Sequence, residues 1–305
     1  MVLRLVGSEM CIRDRYSWKD RDNSFLTLRP ELTAPVARAY NQHNLGNLSP
    51  IHRFYYIGPL FRRERPQKGR QRQFHQFGIE AFGSNFAEQD AEIIALAWHL
   101  LSHFGLANKI DLQLNSIGTS KCRAEYRNAL KQFLKPHFDE LSEISKRRFN
   151  TNPLRILDSK NKKEQTILKN GPRISDYYTK DDKEHFNEVK TYLKAMNIPF
   201  TINSGLVRGL DYYTKTVFEI TSDKLGSQDA LLGGGRYDSL VETLGGKPTP
   251  GIGFAAGIER ILLLINDENF KKHKTVPDIY LICLEKKGIP VSLNITKTLR
   301  LRGLN

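Results

Sequence analysis

A burst of positive charge stands directly before a segment that ends in a single carboxylate, in the stretch RRERPQKGRQRQFHQFGIE from Arg62 to Glu80. Against the one acid Glu64, its first half carries six basic side chains: Arg62, Arg63, Arg65, Lys68, Arg70 and Arg72. Arginine suits bidentate contacts with phosphate oxygens. The cluster therefore predicts a phosphate-binding site, and a solvated basic loop with a structural ion pair is the alternative that the pattern leaves open.

Glu80 needs a partner if its side chain is buried. The segment from Arg72 to Gly83 alternates polar and apolar residues, which is typical of a strand. One face of that strand would carry Phe74, Gln76, Gly78, Glu80 and Phe82, and the other, expected to pack inward, His75, Phe77, Ile79 and Ala81. Because burying an unpaired carboxylate is costly, we expect a cationic or hydrogen-donating ligand beside Glu80. The two halves together predict a pocket that holds phosphate at one end and a polar, amine-bearing small molecule at the other.

A hairpin is the element that would position these side chains. Residues Arg53–Arg62 and Arg72–Gly83 read as two strands, and Pro66 and Gly69 between them favour a long tip. After the hairpin, the pattern around Ala91, Ile94 and Leu101 predicts an amphipathic helix.

The rest of the chain alternates between strand-like and helical patterns. Short strands with a turn at 22–24 precede the hairpin, and Lys-rich helical stretches lead to about Pro199. The segment LLGGGRYDSLVETLGG reads as a glycine turn that opens a short helix, and GIGFAAGIERILLLI as a strand that leads into a helix. Near the end, IYLICLEKK reads as a buried strand and is followed by a helix.

Composition narrows the class of partner. The chain has 305 residues, a net charge of +14 and a pI near 9.6. This excess of positive charge favours binding to phosphate-rich partners, above all nucleic acid; a generic basic surface is the alternative. Its three cysteines show no metal-ligand spacing and fit a reducing, cytoplasmic location. No apolar run reaches the ~18 residues of a membrane span, so no membrane partner is expected.

The familiar nucleotide motifs are missing from the sequence. It contains no G-x-x-x-x-G-K-[ST] and no G-x-G-x-x-G between a strand and a helix, so ATP would have to be bound by arginines. His99 and His103 lie four residues apart on a helix but lack the glutamate of a zinc protease, and no metal-binding residue is predicted.

Four segments, in the order of the chain from Leu26 to about Ile265, resemble the histidyl-tRNA synthetases, a family of class II aminoacyl-tRNA synthetases. LTLRPELTAPVARA resembles the amino-acid-binding loop of that family, and FYYIGPLFRRERPQKGRQRQFHQFGIEAFG its motif 2. GLVRGLDYYTKTVFEI is similar to the histidine-specific signature, and GIGFAAGIERILLL to motif 3. The resemblance implies an α+β fold: an antiparallel sheet of six or seven strands flanked by helices, with a helical insertion and the start of an α/β C-terminal domain.

The same resemblance implies how the chain is divided. The catalytic core would occupy 16–135, with motif 2, and 201–270, with the histidine signature and motif 3. A helical insertion would occupy 136–200, and a truncated anticodon-binding domain 276–305. Residues 1–15 show neither helical nor strand periodicity and stand where motif 1 of the family should precede Tyr16, so they are expected to be non-native or artefactual; an ordinary flexible N-terminus is the alternative. The chain thus resembles an internal fragment of a protein that is a homodimer in this family.

The resemblance also implies the reaction, in which histidine and ATP form histidyl-adenylate and the histidyl group passes to tRNA(His). ATP would arrive with Mg²⁺, and no tightly bound cofactor is expected. Arg62 and Arg208 are the implied catalytic residues, both at the α-phosphate, and Arg208 would also reach the carboxylate of histidine. Arg70 would contact the distal phosphates, while Phe74 and Arg260 would enclose the adenine.

For histidine, the resemblance implies six further contacts. The α-ammonium group would be held by Glu31, Thr33 and Gln76. Glu80 and Tyr213 would bracket the imidazole, whose one donor and one acceptor a carboxylate and a phenol can both satisfy, and Tyr237 would line the pocket.

The alternative is a binding protein of the same fold. A catalytically silent paralogue of this synthetase serves as the regulatory subunit of ATP phosphoribosyltransferase in histidine biosynthesis. That paralogue has no anticodon-binding domain and degrades the histidine signature. Here LVRGLDYYTKTVFE is intact and the basic tip of motif 2 is retained, which favours the ligase.

Overall fold

The computed structural model describes residues 15–63, 69–157, 159, 161–208, 212–226, 229–265 and 278–304. The chain divides into two compact units, Met1–Leu264 and Ile265–Asn305. Of the N-terminal segment predicted to be artefactual, all but Arg15 lies outside the described residues.

A mixed sheet is the scaffold of the first unit. Its strands in the described residues are β3 (His52–Phe61), β4 (Gln73–Phe82), β5 (Asp111–Ser116), β6 (Thr201–Ile202), β7 (Thr214–Thr221), β8 (Ala230–Arg236) and β9 (Gly251–Gly257). The spatial order is β3-β4-β9-β8-β7-β5-β6. Every neighbouring pair is antiparallel except β5 and β6, which are parallel. The α+β class and the sheet of six or seven strands that the resemblance implies are confirmed, with seven strands in the described residues.

Helices surround the sheet, and a separate pair of short strands, β1 (Ser17–Lys19) and β2 (Phe25–Thr27), precedes it. The α-helices described in the first unit are α1 (Thr33–Gln42), α2 (Ala87–His103), α3 (Ser120–Leu134), α4 (Glu143–Thr151), α5 (Lys162–Lys169), α6 (Lys180–Ala195), α7 (Leu240–Thr243) and α8 (Ile258–Leu262). The second unit contains α9 (Ile289–Leu301). None of the described helices is both long enough and apolar enough to cross a membrane.

The predicted hairpin is present as β3 and β4. Its register runs from His52 opposite Phe82 to Phe61 opposite Gln73, so both strands lie within one residue of the predicted bounds. The face of β4 that carries Glu80 becomes more buried toward the end of the strand, where Phe82 packs edge-on against Tyr40 at 5.1 Å between ring centroids. Aromatic packing thus closes this end of the strand face that carries Glu80.

The opposite face of β4 is less buried than the sequence predicts. His75 is exposed, and Phe77 and Ile79 are only half-buried. Across the hairpin, these two residues pair with Ile57 and Tyr55, whose exposed fractions are 69% and 82%. The alternation correctly separated the two faces, but alternation cannot say whether another part of the protein covers an apolar face.

Two predictions of local structure are wrong. The three glycines Gly233–Gly235 lie within β8 and do not form a turn. A Cβ atom at Gly234 would come within 2.1 Å of the Gly253 carbonyl oxygen, so glycine is needed there for close packing of strands. In the second unit, IYLICLEKK forms no strand among the described residues, and Tyr280, Ile282 and Leu284 are exposed. A strand needs a neighbour for its backbone hydrogen bonds, and no described strand pairs with this segment.

Candidate active site

A cavity of about 290 Å³ opens where β3, β4, β7, β8 and β9 meet the loop before α1 and the start of α8. Nine of the eleven residues predicted for the site line it: Glu31, Thr33, Arg62, Arg70, Phe74, Gln76, Arg208, Tyr213 and Arg260. The fold thus brings together residues that lie up to 229 positions apart, from Glu31 to Arg260. The remaining two, Glu80 and Tyr237, are both 1% exposed and lie behind the cavity wall.

Glu80 is held in its buried position by three hydroxyl groups. The Thr33 hydroxyl donates to Oε1 at 2.7 Å, Tyr56 Oη donates to the same oxygen at 3.3 Å, and Tyr237 Oη donates to Oε2. Burial nevertheless raises the pKa of Glu80 to about 8, against the lowering effect of these hydroxyls. The site therefore favours a neutral glutamic acid at pH 7, and a cationic or hydrogen-donating ligand would stabilise the charged form of Glu80.

Glycines clear the space that Glu80 and Tyr56 occupy. Gly253 lies opposite Glu80 in the register of β4 and β9, and a Cβ atom there would come within 1.9 Å of Glu80 Oε2. Gly78 lies opposite Tyr56, and a Cβ atom there would come within 2.2 Å of the Tyr56 hydroxyl oxygen. The two glycines are thus required by the neighbouring side chains.

Glu31 is a second buried carboxyl group in the wall of the cavity. Its Oε2 accepts a hydrogen bond from the Ala34 backbone N–H at 3.0 Å, at the start of α1. Its Oε1 is buried and has no hydrogen-bond partner in the described part of the chain. Burial raises the pKa of Glu31, while the Ala34 and Thr33 N–H groups and Arg62 oppose the rise. A buried carboxylate oxygen without a donor is a site where an ammonium group can bind.

Three tyrosines fill the space between the carboxyl groups and β8. The rings of Tyr212 and Tyr213 lie 4.8 Å apart, and Tyr237 packs edge-on against both, at 5.7 and 6.3 Å. Burial is the main cause that raises the pKa of all three phenols, so each is a neutral donor near pH 7.

The guanidinium groups are fixed by backbone carbonyls. Arg62 Nε donates to the Pro30 oxygen at 2.9 Å, and its guanidinium lies 5.0 Å from the centre of the Phe74 ring. Arg260, on α8, donates to the carbonyl oxygens of Gly69 at 2.7 Å and Ala230 at 2.6 Å. Arg260 thus links the hairpin tip, at Gly69, to the first residue of β8, Ala230.

Arg208 forms an ion pair inside the cavity with Glu219 of β7, at 2.7 Å between Nη1 and Oε1. Burial, the largest single cause, would lower the pKa of Arg208, but the charges and hydrogen bonds of Glu219 and Tyr213 together outweigh it and the pKa is raised. Gly233 lies opposite Glu219 on β8, and a Cβ atom there would come within 2.3 Å of the guanidinium nitrogens. This glycine therefore makes room for Arg208 in the triple-glycine segment.

Four ionisable residues of the cavity wall were not predicted as site residues: Tyr56, Tyr212, Glu219 and Glu259. Glu259 accepts hydrogen bonds from the backbone N–H of His75 at 2.9 Å and lies equally close to its Nδ1. The predicted hairpin offered a signal for one of them, because Tyr56 pairs with Gly78 within it; the pairing of Glu219 with Gly233 appears only in the folded chain. A glycine opposite a bulky polar residue leaves room for that side chain to lie over the neighbouring strand.

Comparison with known proteins gives one family. The family model for histidyl-tRNA synthetase matches residues 4–261. The structure is similar to apo S. aureus histidyl-tRNA synthetase, with a TM-score of 0.73 and 35% identity over 97% of this chain and 72% of that one. It also resembles a Bacillus halodurans protein described as an ATP phosphoribosyltransferase regulatory subunit/histidyl-tRNA synthetase, with a TM-score of 0.67 and 21% identity over 98% and 77% of the two chains. A Nostoc histidyl-tRNA synthetase matches with a TM-score of 0.59 and 20% identity over 95% and 70%. The last two similarities concern the fold alone.

Proposed function

Because the chain belongs to the histidyl-tRNA synthetase family, we propose that it is a histidine–tRNA ligase, which activates histidine with ATP and transfers it to tRNA(His). One observation carries the proposal: a single cavity holds four arginines beside a buried carboxylate oxygen that lacks a donor. Arginines suit the phosphates of ATP, and the carboxylate suits the ammonium group of an amino acid.

In the first step, a carboxylate oxygen of histidine attacks the α-phosphorus of ATP. The bond from that phosphorus to the bridging oxygen of the β-phosphate breaks, and pyrophosphate leaves with the electron pair. Negative charge builds on the α-phosphate during this step. Arg62 and Arg208 stabilise that charge, and Arg208 also orients the attacking carboxylate. Since Arg208 is bound to Glu219 in the free protein, the substrates compete with Glu219 for its guanidinium.

ATP arrives as its Mg²⁺ complex. Phe74 stacks on one face of the adenine and Arg260 covers the other. The hydrogen bonds of Arg260 to the Gly69 and Ala230 oxygens support this role, because they hold its guanidinium in one position. Arg70 contacts the distal phosphates.

Histidine is recognised by the two buried carboxyl groups. Its α-ammonium group takes the free Oε1 of Glu31, with Thr33 and Gln76 as further acceptors. One imidazole N–H binds Glu80 and replaces the longest of its hydrogen bonds, the one from Tyr56 at 3.3 Å. Tyr213 donates to the other ring nitrogen, and Tyr237 keeps its hydrogen bond to Glu80. An amino acid without ring nitrogens leaves these buried groups unpaired, which a hydrogen-bonding site rejects strongly.

In the second step, a terminal ribose hydroxyl of tRNA(His) attacks the carbonyl carbon of the adenylate, and AMP leaves. The net charge of +14 supports binding of the tRNA backbone. A homodimer is proposed on a separate observation: Tyr55 and Ile57, with the half-buried Phe77 and Ile79 opposite them, form an apolar sheet face that none of the described residues covers fully.

The test is ATP–pyrophosphate exchange by the whole chain, with histidine, phenylalanine or no amino acid. The proposal predicts exchange that depends on histidine. In Glu80→Gln, the KM for histidine should rise far more than the KM for ATP, while Glu242→Gln on the exposed side of α7 should match the wild type. An exchange that is absent, or that phenylalanine supports equally, contradicts the proposal. Stimulation of an ATP phosphoribosyltransferase catalytic subunit in the absence of exchange would favour the regulatory subunit instead.

A further inference from the structure

A buried ionic network lies at the end of β8, and none of its residues lines the cavity. Arg236 and Asp90 are both fully buried, and His185 is 6% exposed. Arg236 Nε donates to Asp90 Oδ1 at 2.9 Å, and its Nη2 contacts the same oxygen. His185 Nε2 lies 2.8 Å from Asp90 Oδ2. The carboxylate of Asp90 thus joins helix α2, strand β8 and helix α6.

The partners of Arg236 use most of its hydrogen-bonding capacity. Besides Asp90, the guanidinium donates to the carbonyl oxygens of Ser84 at 2.9 Å and Phe86 at 3.2 Å, and to Asp238 at 3.0 Å. Burial, the largest single cause, would lower the pKa of Arg236, but the charges and hydrogen bonds of Asp90 and Asp238 together outweigh it and the pKa is raised. In the same way Arg236 and His185 together lower the pKa of Asp90 against its burial. Arg236 is therefore held as a charged group in one orientation.

A buried ion pair of this kind is weak support for stability. Removing two charges from water costs several kcal/mol for each ion, and apolar residues of similar volume often serve stability equally well. What such a network provides is a single geometry for the elements that it joins. The geometry at stake here is that of β8, because Tyr237 directly follows Arg236.

Tyr237 is the point where this network meets the cavity wall. Its backbone N–H donates to the Gly251 oxygen at 2.7 Å, and its hydroxyl donates to Glu80. Since consecutive residues of an extended chain point to opposite sides, anchoring Arg236 on one side sets the position of the phenol on the other. The path from His185 to Glu80 therefore runs through Asp90, Arg236 and Tyr237.

Helix α6 makes a second contact with the sheet, one turn before His185. Asp181 Oδ2 lies 2.7 Å from Lys215 Nζ, and Lys215 is two residues after Tyr213 in the chain. Lys215 has a φ of +46°, next to an irregularity in the pairing of β7 with β8. The same helix thus contacts β7, which follows Tyr213, and is joined through Asp90 to β8, which precedes Tyr237.

We infer that His185 is a positioning residue for the histidine pocket: through Asp90 and Arg236 it fixes Tyr237, and thereby the orientation of the Glu80 carboxyl group. The inference rests on the proposed function in one respect, the identity of the amino acid that is bound. It assigns helix α6, within the segment interpreted as an insertion, a role in amino-acid recognition.

The experiment compares His185→Ala and His185→Gln in the whole chain. The glutamine amide nitrogen can take the place of imidazole Nε2 toward Asp90, whereas alanine cannot. Glu188→Ala, at an exposed position of the same helix, is the matched control. In pyrophosphate exchange, His185→Ala should raise the KM for histidine about tenfold, within the range for residues that act through packed neighbours. The KM for ATP should stay within about twofold, and His185→Gln should restore most of the loss.

A double-mutant cycle with Tyr237→Phe tests the path itself. If His185 acts through Tyr237, the effects of His185→Ala and Tyr237→Phe on the KM for histidine should be strongly non-additive. Additive effects, or equal rises in the KM values for histidine and ATP, overturn the inference.

A spectroscopic measurement separates this inference from the proposed function. In protein labelled with ¹³C at tyrosine Cζ, the Tyr237 signal is assigned by its loss in Tyr237→Phe. It should shift in His185→Ala, return toward the wild-type position in His185→Gln, and stay unchanged in Glu188→Ala. A Tyr237 signal that does not move in His185→Ala overturns the inference, whether or not the chain activates histidine. If the signal moves while the wild type shows no exchange, only the proposed function fails.

Discussion

Replacement of Glu80 by glutamine should remove a large pH dependence of stability. The pKa of this buried glutamic acid is raised from 4.5 to about 8. Between these two values the folded chain keeps a proton that the unfolded chain has lost, so the free energy of unfolding falls as the pH rises. The contribution is fully present below pH ~4.5 and is lost by pH ~8, a total of about 5 kcal/mol. From pH 5.5 to pH 8.5 the loss is about 3 kcal/mol.

Urea denaturation of the free protein at pH 5.5, 7.0 and 8.5 measures this contribution directly. Glu80→Gln keeps the size of the side chain but cannot ionise. The difference in free energy of unfolding between the variant and the wild type should therefore shift by about 3 kcal/mol in favour of the variant across this range. Glu242→Gln, at an exposed glutamate of α7, should follow the wild type. Parallel pH profiles of Glu80→Gln and the wild type would refute the view that Glu80 is buried as a neutral acid.

Three further predictions concern catalysis, nucleotide binding and assembly. In single-turnover assays, Arg208→His should lower the rate of adenylate formation by a factor of ~10²–10³ and the rate of transfer from preformed adenylate much less, with Arg38→His as an exposed control. Equal losses in both steps would show that Arg208 is a structural or binding residue. Phe74→Leu should weaken ATP binding by about 1–3 kcal/mol in calorimetry while histidine affinity stays unchanged, and a loss of histidine affinity would contradict the stacking role. Ile57→Asp should abolish self-association in sedimentation velocity, whereas Leu48→Asp, which also replaces an exposed apolar residue, should not; a wild type that remains monomeric at high concentration would disprove the proposed interface.

The hairpin and its charged residues could be predicted from the sequence because their signals are local. Alternation over β4 placed Phe74, Gln76 and Glu80 on one face, and the strand bounds follow from the same pattern. The faces could be separated in this way, but their burial could not. Glu80 is buried because Gly253 lies beside it on a strand more than 170 residues later, and the sequence gives no register for that pairing.

Glycine was the main source of error within the site. The segment Gly233–Gly235 was interpreted as a turn because glycine usually interrupts regular structure, whereas it forms part of β8. Its glycines are explained by contacts that only the folded chain shows, such as the Arg208 guanidinium over Gly233. The interpretation of IYLICLEKK as a strand failed for a related reason, since an apolar run forms a strand only where a partner strand is available.

No sequence pattern predicted the network of Arg236, Asp90 and His185. Its members come from three elements, separated by 146 and 95 positions. Each residue type taken alone is ordinary, and only their burial together reveals a specific arrangement.

The most direct test of the account is detection of the proposed intermediate. The whole chain is incubated with histidine, ATP and Mg²⁺ in the presence of pyrophosphatase, quenched within one turnover, and analysed by mass spectrometry. A histidine–tRNA ligase should form histidyl-adenylate in an amount close to that of the protein, strongly reduced in Arg208→His and retained in Arg38→His. A protein that binds histidine and ATP but forms no histidyl-adenylate would contradict the proposed function.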